Sequence, residues 1–273
     1  MTSTPNVRGR HIRLRGRLST RDIAVLESLY RLRLLTSRQV QRLHVPDGSA
    51  LTRSRRTRAL LARLVELGVV IRLERTVTGV QPGSSVPVFG LSGLGLAVLD
   101  VQGPYGRRRR TVWETKPYFL YHLLAVAEVC VGLTELTSAT PHADLLAFDA
   151  EPAAWRRFNG DMGAPATLKP DAYVRLGVGE YEHSAFIELD MASESLPTIE
   201  RKCRAYGAYW RSGIEQQQRG VFPLVLWLVP NAERQRRVRE VIERLGAEVR
   251  HLFAVALHDE GAALLVAPME VTV

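Results

Sequence analysis

Cysteine is scarce in this chain of 273 residues: Cys130 and Cys203 stand alone, each inside a helix-like segment. Two isolated thiols make neither a zinc set nor a disulfide framework, and the expectation is two buried thiols in a reducing cytoplasm. Long apolar runs are lacking too. None reaches the roughly 18 residues that span a bilayer, and the longest candidates, near 94–101 and 221–230, fall short. The N-terminus has basic residues but no apolar signal core, so neither export nor membrane insertion is expected, and the location read from the sequence is cytoplasmic. No glycine-rich phosphate loop or cofactor motif is present, which leaves a small-molecule-sensing repressor with little support. Lysine is absent from the first 110 residues.

What is present is unevenly distributed. The chain is long enough for two domains or one large one, and its hydrophobic content of 46% is that of a globular protein. Residues 1–110 hold 21 Arg and 6 acidic residues, a net charge of +15, while residues 111–273 hold 16 basic and 22 acidic residues, a net charge of −6. A basic half joined to an acidic half reads as two modules. The arginine fork donates two hydrogen bonds to a phosphate, so the first module should seek a polyanion. DNA or RNA suits it better than a membrane surface, because no basic helix here has a strongly apolar opposite face.

Residues 1–17, with Arg8, Arg10, Arg13, Arg15 and Arg17, read as a basic flexible arm. Residues 18–67 read as three helices. Ser19 caps the first, with Asp22 near its positive end. Leu34 to Ser37 is a short link, and Thr36-x-x-Gln39 is a capping box for the second. The third runs from about Ser49 to Leu67, with leucines facing inward, Gly68 as its C-cap, and Arg53, Arg55, Arg56 and Arg58 along its first half. Residues 69–91 read as a β-hairpin with a Gly/Pro/Ser tip at 79–85, and a closing helix starts near Leu91. Three helices and then a hairpin is the order of a winged helix-turn-helix, spanning 18–101, which would place the arginine-bearing helix in the major groove of double-stranded DNA. Residues 102–116 form a basic linker with Arg107, Arg108, Arg109 and Arg110, suited to tracking DNA between the modules.

The second module, 117–273, opens with a helix over 118–137 that carries His122 and Glu128 in an apolar band. Then come a strand over 143–150, a polar loop over 156–169, strands over 172–178 and 184–190, a helix to Trp210, a strand ending at Val229, a helix capped by Asn231, a strand over 252–257, and an optional edge strand at 262–267. This is an α/β order. Residues two apart on a strand share a face, so Phe186, Glu188 and Asp190 point one way, and Asp171 opens the neighbouring strand close to Glu188. Carboxylates on one sheet face either stand in solvent or repel each other unless a cation joins them. Hard oxygen ligands favour Mg2+ or Mn2+, which can activate a water against a phosphodiester.

The segment resembles the PD-(D/E)xK nuclease motif: Pro170-Asp171, then Glu188-Leu189-Asp190, with Lys202 and Tyr206 four apart on the following helix. The resemblance implies a restriction-endonuclease-like core. It implies Asp171 and Glu188 as metal ligands, with the Leu189 carbonyl and Glu128 completing the shell, and Asp190 as a further ligand or a group behind the ligands. Nucleases of this kind usually have lysine where Asp190 stands. Some members carry it on the next helix, the position of Lys202 here, where it would stabilise the phosphate charge. His122-Leu123-Leu124, Val126-Ala127-Glu128, Lys169-Pro170-Asp171, Phe186 to Asp190, and Lys202 with Tyr206 occur in the order seen in the replication-relaxation family of plasmids and mobile elements. The whole chain is similar to that family and, by analogy, to plasmid mobilisation relaxases. The resemblance implies a metal-dependent DNA nickase of plasmid or mobile-element processing. The rival is a non-catalytic winged-helix regulator whose second domain dimerises or docks a partner; homodimerisation is left open.

Overall fold

Ser19 and Thr36 start two helices by the same device. Each hydroxyl accepts the backbone N–H three residues on, and Asp22 or Gln39 reaches back to the N–H of the cap. The spacing in the sequence predicts this reciprocal arrangement. A computed structural model gives the protein's structure and describes residues 7–78, 85–99, 117–160 and 163–267. The chain is α/β and divides into two compact units, Met1–Val131 and Gly132–Val273. The division falls within one long helix.

The first unit runs α1 (Val7–Arg15), α2 (Thr20–Leu32), β1 (Leu34–Thr36), α3 (Ser37–His44), α4 (Ala50–Glu66), β2 (Val70–Thr78), β3 (Ser85–Leu91), α5 (Gly93–Leu99) and the first part of α6 (Pro117–Ala139). Two expectations are corrected here. Residues 7–15 of the presumed flexible arm are helical: Leu14 is buried, and Arg15 Nη1 donates to the Val98 carbonyl at 3.0 Å, which ties α1 to α5. The presumed link at Leu34 is a strand, because Leu34 and Thr36 pair with Gly90 and Val88 of β3. The resulting antiparallel sheet has the order β1-β3-β2. Val25, Leu26, Leu29, Leu61, Leu64 and Val69 are buried beneath it or between the helices. Buried Asp22 pairs with Arg63, linking the start of α2 to the end of α4. Gly68 takes φ +74 after α4, the left-handed conformation that suits glycine at a helix C-terminus. The hairpin tip at 79–84 and the linker at 102–116 lie outside the described residues.

Helix α6 departs from the sequence reading in another way. Its stretch Phe119–Ala139 is long and apolar enough, by length and composition, to cross a membrane. Glu128 and Glu135 interrupt it, so it contains no unbroken apolar run of that length. Leu120, Leu123, Leu124, Val126 and Ala127 are buried, and Glu128 pairs with Arg42 and accepts from Gln39 Nε2 at 3.0 Å.

The second unit continues with the end of α6, β4 (Ala143–Ala150), β5 (Arg156–Asn159), β6 (Pro165–Leu168), β7 (Ala172–Val178), β8 (Tyr181–Leu189), α7 (Leu196–Arg211), α8 (Ile214–Arg219), β9 (Leu224–Val229), α9 (Ala232–Glu243), α10 (Ala247–Arg250), β10 (Phe253–Leu257) and α11 (Gly261–Val266). Five strands form one sheet in the order β10-β9-β8-β7-β4. β4, β7 and β8 pair antiparallel, while β8, β9 and β10 pair parallel. The loop expected over 156–169 contains the β5–β6 hairpin, and the optional edge strand at 262–267 is helix α11. Phe186, Tyr206, Tyr209, Trp227, Val229 and Val238 belong to one buried cluster. β8 is the central strand of the sheet, and its residues from Ala185 to Leu189 are buried on both faces.

Candidate functional site

The C-terminal end of β8 carries two buried carboxylates, Glu188 and Asp190. Pairing brings Ala172 opposite Ile187 and sets Glu188 beside Trp227 of β9. Asp171, one residue before β7, accepts the Leu189 N–H on Oδ2 at 2.7 Å. Helix α7 is capped by Ser195 and takes Pro197 in its first turn, where proline loses no helical bond. It presents Lys202 and Tyr206 to β8. Lys202 Nζ donates to Glu188 Oε2 at 2.9 Å and to Glu194 Oε1 at 2.8 Å, and the Tyr206 hydroxyl donates to Glu188 Oε1 at 2.6 Å.

These are not solvated carboxylates. Glu188 is 1% exposed and Asp190 is 2% exposed, so each needs a partner to be tolerated. Burial, with Asp171 close by, pushes the Glu188 carboxyl up to about 7, although Lys202 and Tyr206 pull it down. Burial alone would lower Lys202, but Glu188, Asp171 and Glu194 outweigh it and hold the ammonium above its ordinary value. Burial and then Glu188 keep the Tyr206 phenol well above its usual range. It is therefore not poised to ionise as a nucleophile.

Asp190, at the position where the resembling nucleases carry lysine, has a different set of neighbours. Arg234 Nε of α9 bonds its carboxylate, and Ala192 N–H donates to Oδ1 at 2.9 Å. Arg234 Nη2 also donates to the Glu194 carbonyl at 2.6 Å. Of the residues proposed from the sequence, the structure brings Asp171, Glu188 and Lys202 together and sets Asp190 two residues along the chain from Glu188, paired with Arg234. Glu128 belongs to the first unit and pairs there with Arg42. Glu194 and Arg234 join the site without a signal in the sequence. Their partners lie between 8 and 44 residues away, a distance that helical or strand periodicity does not register.

The donor chemistry of Asp171 and Glu188, two hard carboxylates, suits Mg2+ or Mn2+. The arrangement does not fit a resident divalent ion. Both Glu188 oxygens accept from Tyr206 or Lys202, and the ammonium at 2.9 Å sits where a cation would meet Oε2. Among the described residues, no group of three or more His, Cys, Asp or Glu side chains is arranged to hold a metal.

In the first unit, Arg55, Arg56 and Arg58 are exposed on α4, and Arg53 is half-buried with Nη1 on the Pro46 carbonyl at 3.5 Å. Buried Thr57, Leu61 and Leu64 hold the other side of the helix. Arg107 to Arg110 lie outside the described residues.

The fold and these sites define a two-unit α/β protein with an arginine-bearing helix in one unit and a lysine-neutralised carboxylate site in the other. The sequence model of the replication-relaxation family matches residues 26–225, and the chain belongs to that family. No curated protein and no solved structure matches it.

Proposed function

We propose that this chain is a DNA-binding protein that acts in the replication or relaxation of a plasmid or mobile element. The observation that carries the reading is helix α4. It is the third helix of an α-β-α-α-β-β order that reads as a winged helix-turn-helix, it is anchored by Leu61 and Leu64, and it leaves Arg55, Arg56 and Arg58 exposed. Arginines so placed supply phosphate contacts, and hence affinity more than sequence choice. Fluorescence anisotropy with duplex DNA tests this. The triple variant Arg55→Ala/Arg56→Ala/Arg58→Ala should bind at least about tenfold more weakly at moderate salt. Its log–log salt slope should be shallower by about 2 to 3, near one per lost phosphate contact. Unchanged binding and slope would remove α4 from the interface.

A second reading is favoured by the convergence of Asp171, Glu188 and Lys202: the second unit has a restriction-endonuclease-like core and nicks DNA. Here the chain's own residues have defined parts. Lys202 would face the developing phosphate charge, and half-buried Asp171 is the carboxylate with access to water. Supercoiled plasmid incubated with pure protein, with and without Mn2+, should yield open circles from wild type and none from Asp171→Ala or Lys202→Ala. No cleavage of any plasmid, including one carrying the cognate element, leaves the non-catalytic DNA-binding reading, with the second unit used for dimerisation or docking.

A further inference from the structure

The carboxylates at the end of β8 carry their own counter-ion. Lys202 Nζ contacts Glu188 Oε2 and Glu194 Oε1, with Asp171 adding to the negative field around it. Trp227 closes another side, its ring centroid 5.6 Å from Nζ. Negative side chains grouped around one ammonium make the electrostatic setting of a divalent-cation site, with the cation supplied covalently. A tethered cation gives up no translational freedom on binding, so it outcompetes a free ion of similar intrinsic affinity.

The ammonium is also held from behind. Glu194 lies in the short link between β8 and α7, and that link is clamped. Arg234 bonds the Asp190 carboxylate at one end and the Glu194 carbonyl at the other. Asp190 also accepts the N–H of Ala192, whose backbone stands at φ +58. His258 Nε2 lies 3.0 Å from the Asp190 carbonyl. The aspartate that replaces the usual lysine is thus part of the device that fixes the lysine of α7.

We propose that Lys202 is the resident cation of this site and that the Asp190–Arg234–Glu194 clamp keeps it on Glu188, shutting divalent metal out. The inference rests on the nuclease-like reading of the site, and its test is separate from plasmid nicking. Electron paramagnetic resonance counts free Mn2+ directly in the presence of the full-length chain. Wild type should show no Glu188-dependent uptake at about 1 mM Mn2+. Lys202→Met should gain a site at least about tenfold tighter than anything in wild type, and Lys202→Met/Glu188→Gln should lose it. Arg234→Gln keeps both the carboxylates and the lysine, so it should raise Mn2+ uptake by loosening the clamp. Mn2+ bound by wild type and lost in Glu188→Gln overturns the proposal, and that comparison stands even where Lys202→Met fails to fold. No gain in either Lys202→Met or Arg234→Gln overturns it as well. If Lys202→Met gains Mn2+ while wild type never nicks DNA, the resident-cation inference holds and the nickase reading fails. Nicking by a wild type that binds Mn2+ through Glu188 gives the reverse result.

Discussion

Lys202→Ala is expected to destabilise the second unit by about 1 to 2 kcal/mol more at pH 8 than at pH 5. Burial at 1% exposure raises the Glu188 pKa to about 7 even though Lys202 holds it down. Without the lysine the carboxyl keeps its proton at pH 8, and the folded chain forfeits the ionised state that wild type reaches there. At pH 5 Glu188 is neutral with or without Lys202, and that part of the loss vanishes. Urea denaturation of the full chain at the two pH values checks this, following Trp227, which is buried beside the site. An equal loss at both values would mean that Lys202 stabilises by packing and not by charge.

The second large effect belongs to Glu188 itself. Its folded pKa of about 7 lies above its ordinary 4.5, so between those values the folded chain keeps a proton that the unfolded chain has released. Stability from this group is therefore fully present below pH 4.5 and is lost as pH rises through 7. The loss amounts to a few kcal/mol at most. Lys202 moves in the opposite part of the scale: its pKa is raised above an ordinary 10.5, so its contribution fades only in strong alkali. Glu188→Gln should flatten the profile between pH 4.5 and 7, because the group that releases its proton there in the unfolded chain is gone. A Glu188→Gln profile that still falls in parallel with wild type would assign the pH dependence to another group.

Several parts of this molecule were legible because their causes are local. The caps at Ser19, Thr36 and Asn231 satisfy backbone donors a few residues on, and the spacing alone reveals them; those at Ser49 and Ser195 emerge from the structure. The closeness of Asp171 to the end of β8 follows from two neighbouring β-rich runs, 172–178 and 184–190, short enough apart to pair. Other parts have distant causes. Leu34 to Thr36 is a strand only because β3, more than fifty residues later, lies beside it. Val7–Arg15 has little helical amphipathicity and is tied down by Leu14 and by the Arg15 contact to Val98. Arg156 and Asn159 end a strand because Leu168 and Pro165 face them. Residues 262–267 are apolar and short, a pattern that fits a strand or a helix equally; Gly261 to Val266 form the helix. In the site, the i and i+4 spacing exposed Lys202 and Tyr206 as a pair, whereas Glu194 and Arg234 required the folded chain.

The pairing of Arg234 with Asp190 also constrains how this sequence can change. Asp190→Lys, which would place there the residue usual in the resembling nucleases, looks like a single change. In this fold it would set a new ammonium against the Arg234 guanidinium, with Lys202 close by on Glu188, inside a buried strand end. That exchange therefore runs through at least two positions, and neither step is neutral alone: losing Arg234 first strands Asp190, and losing Asp190 first strands Arg234. One ion pair thus ties two positions 44 residues apart into a single unit of change.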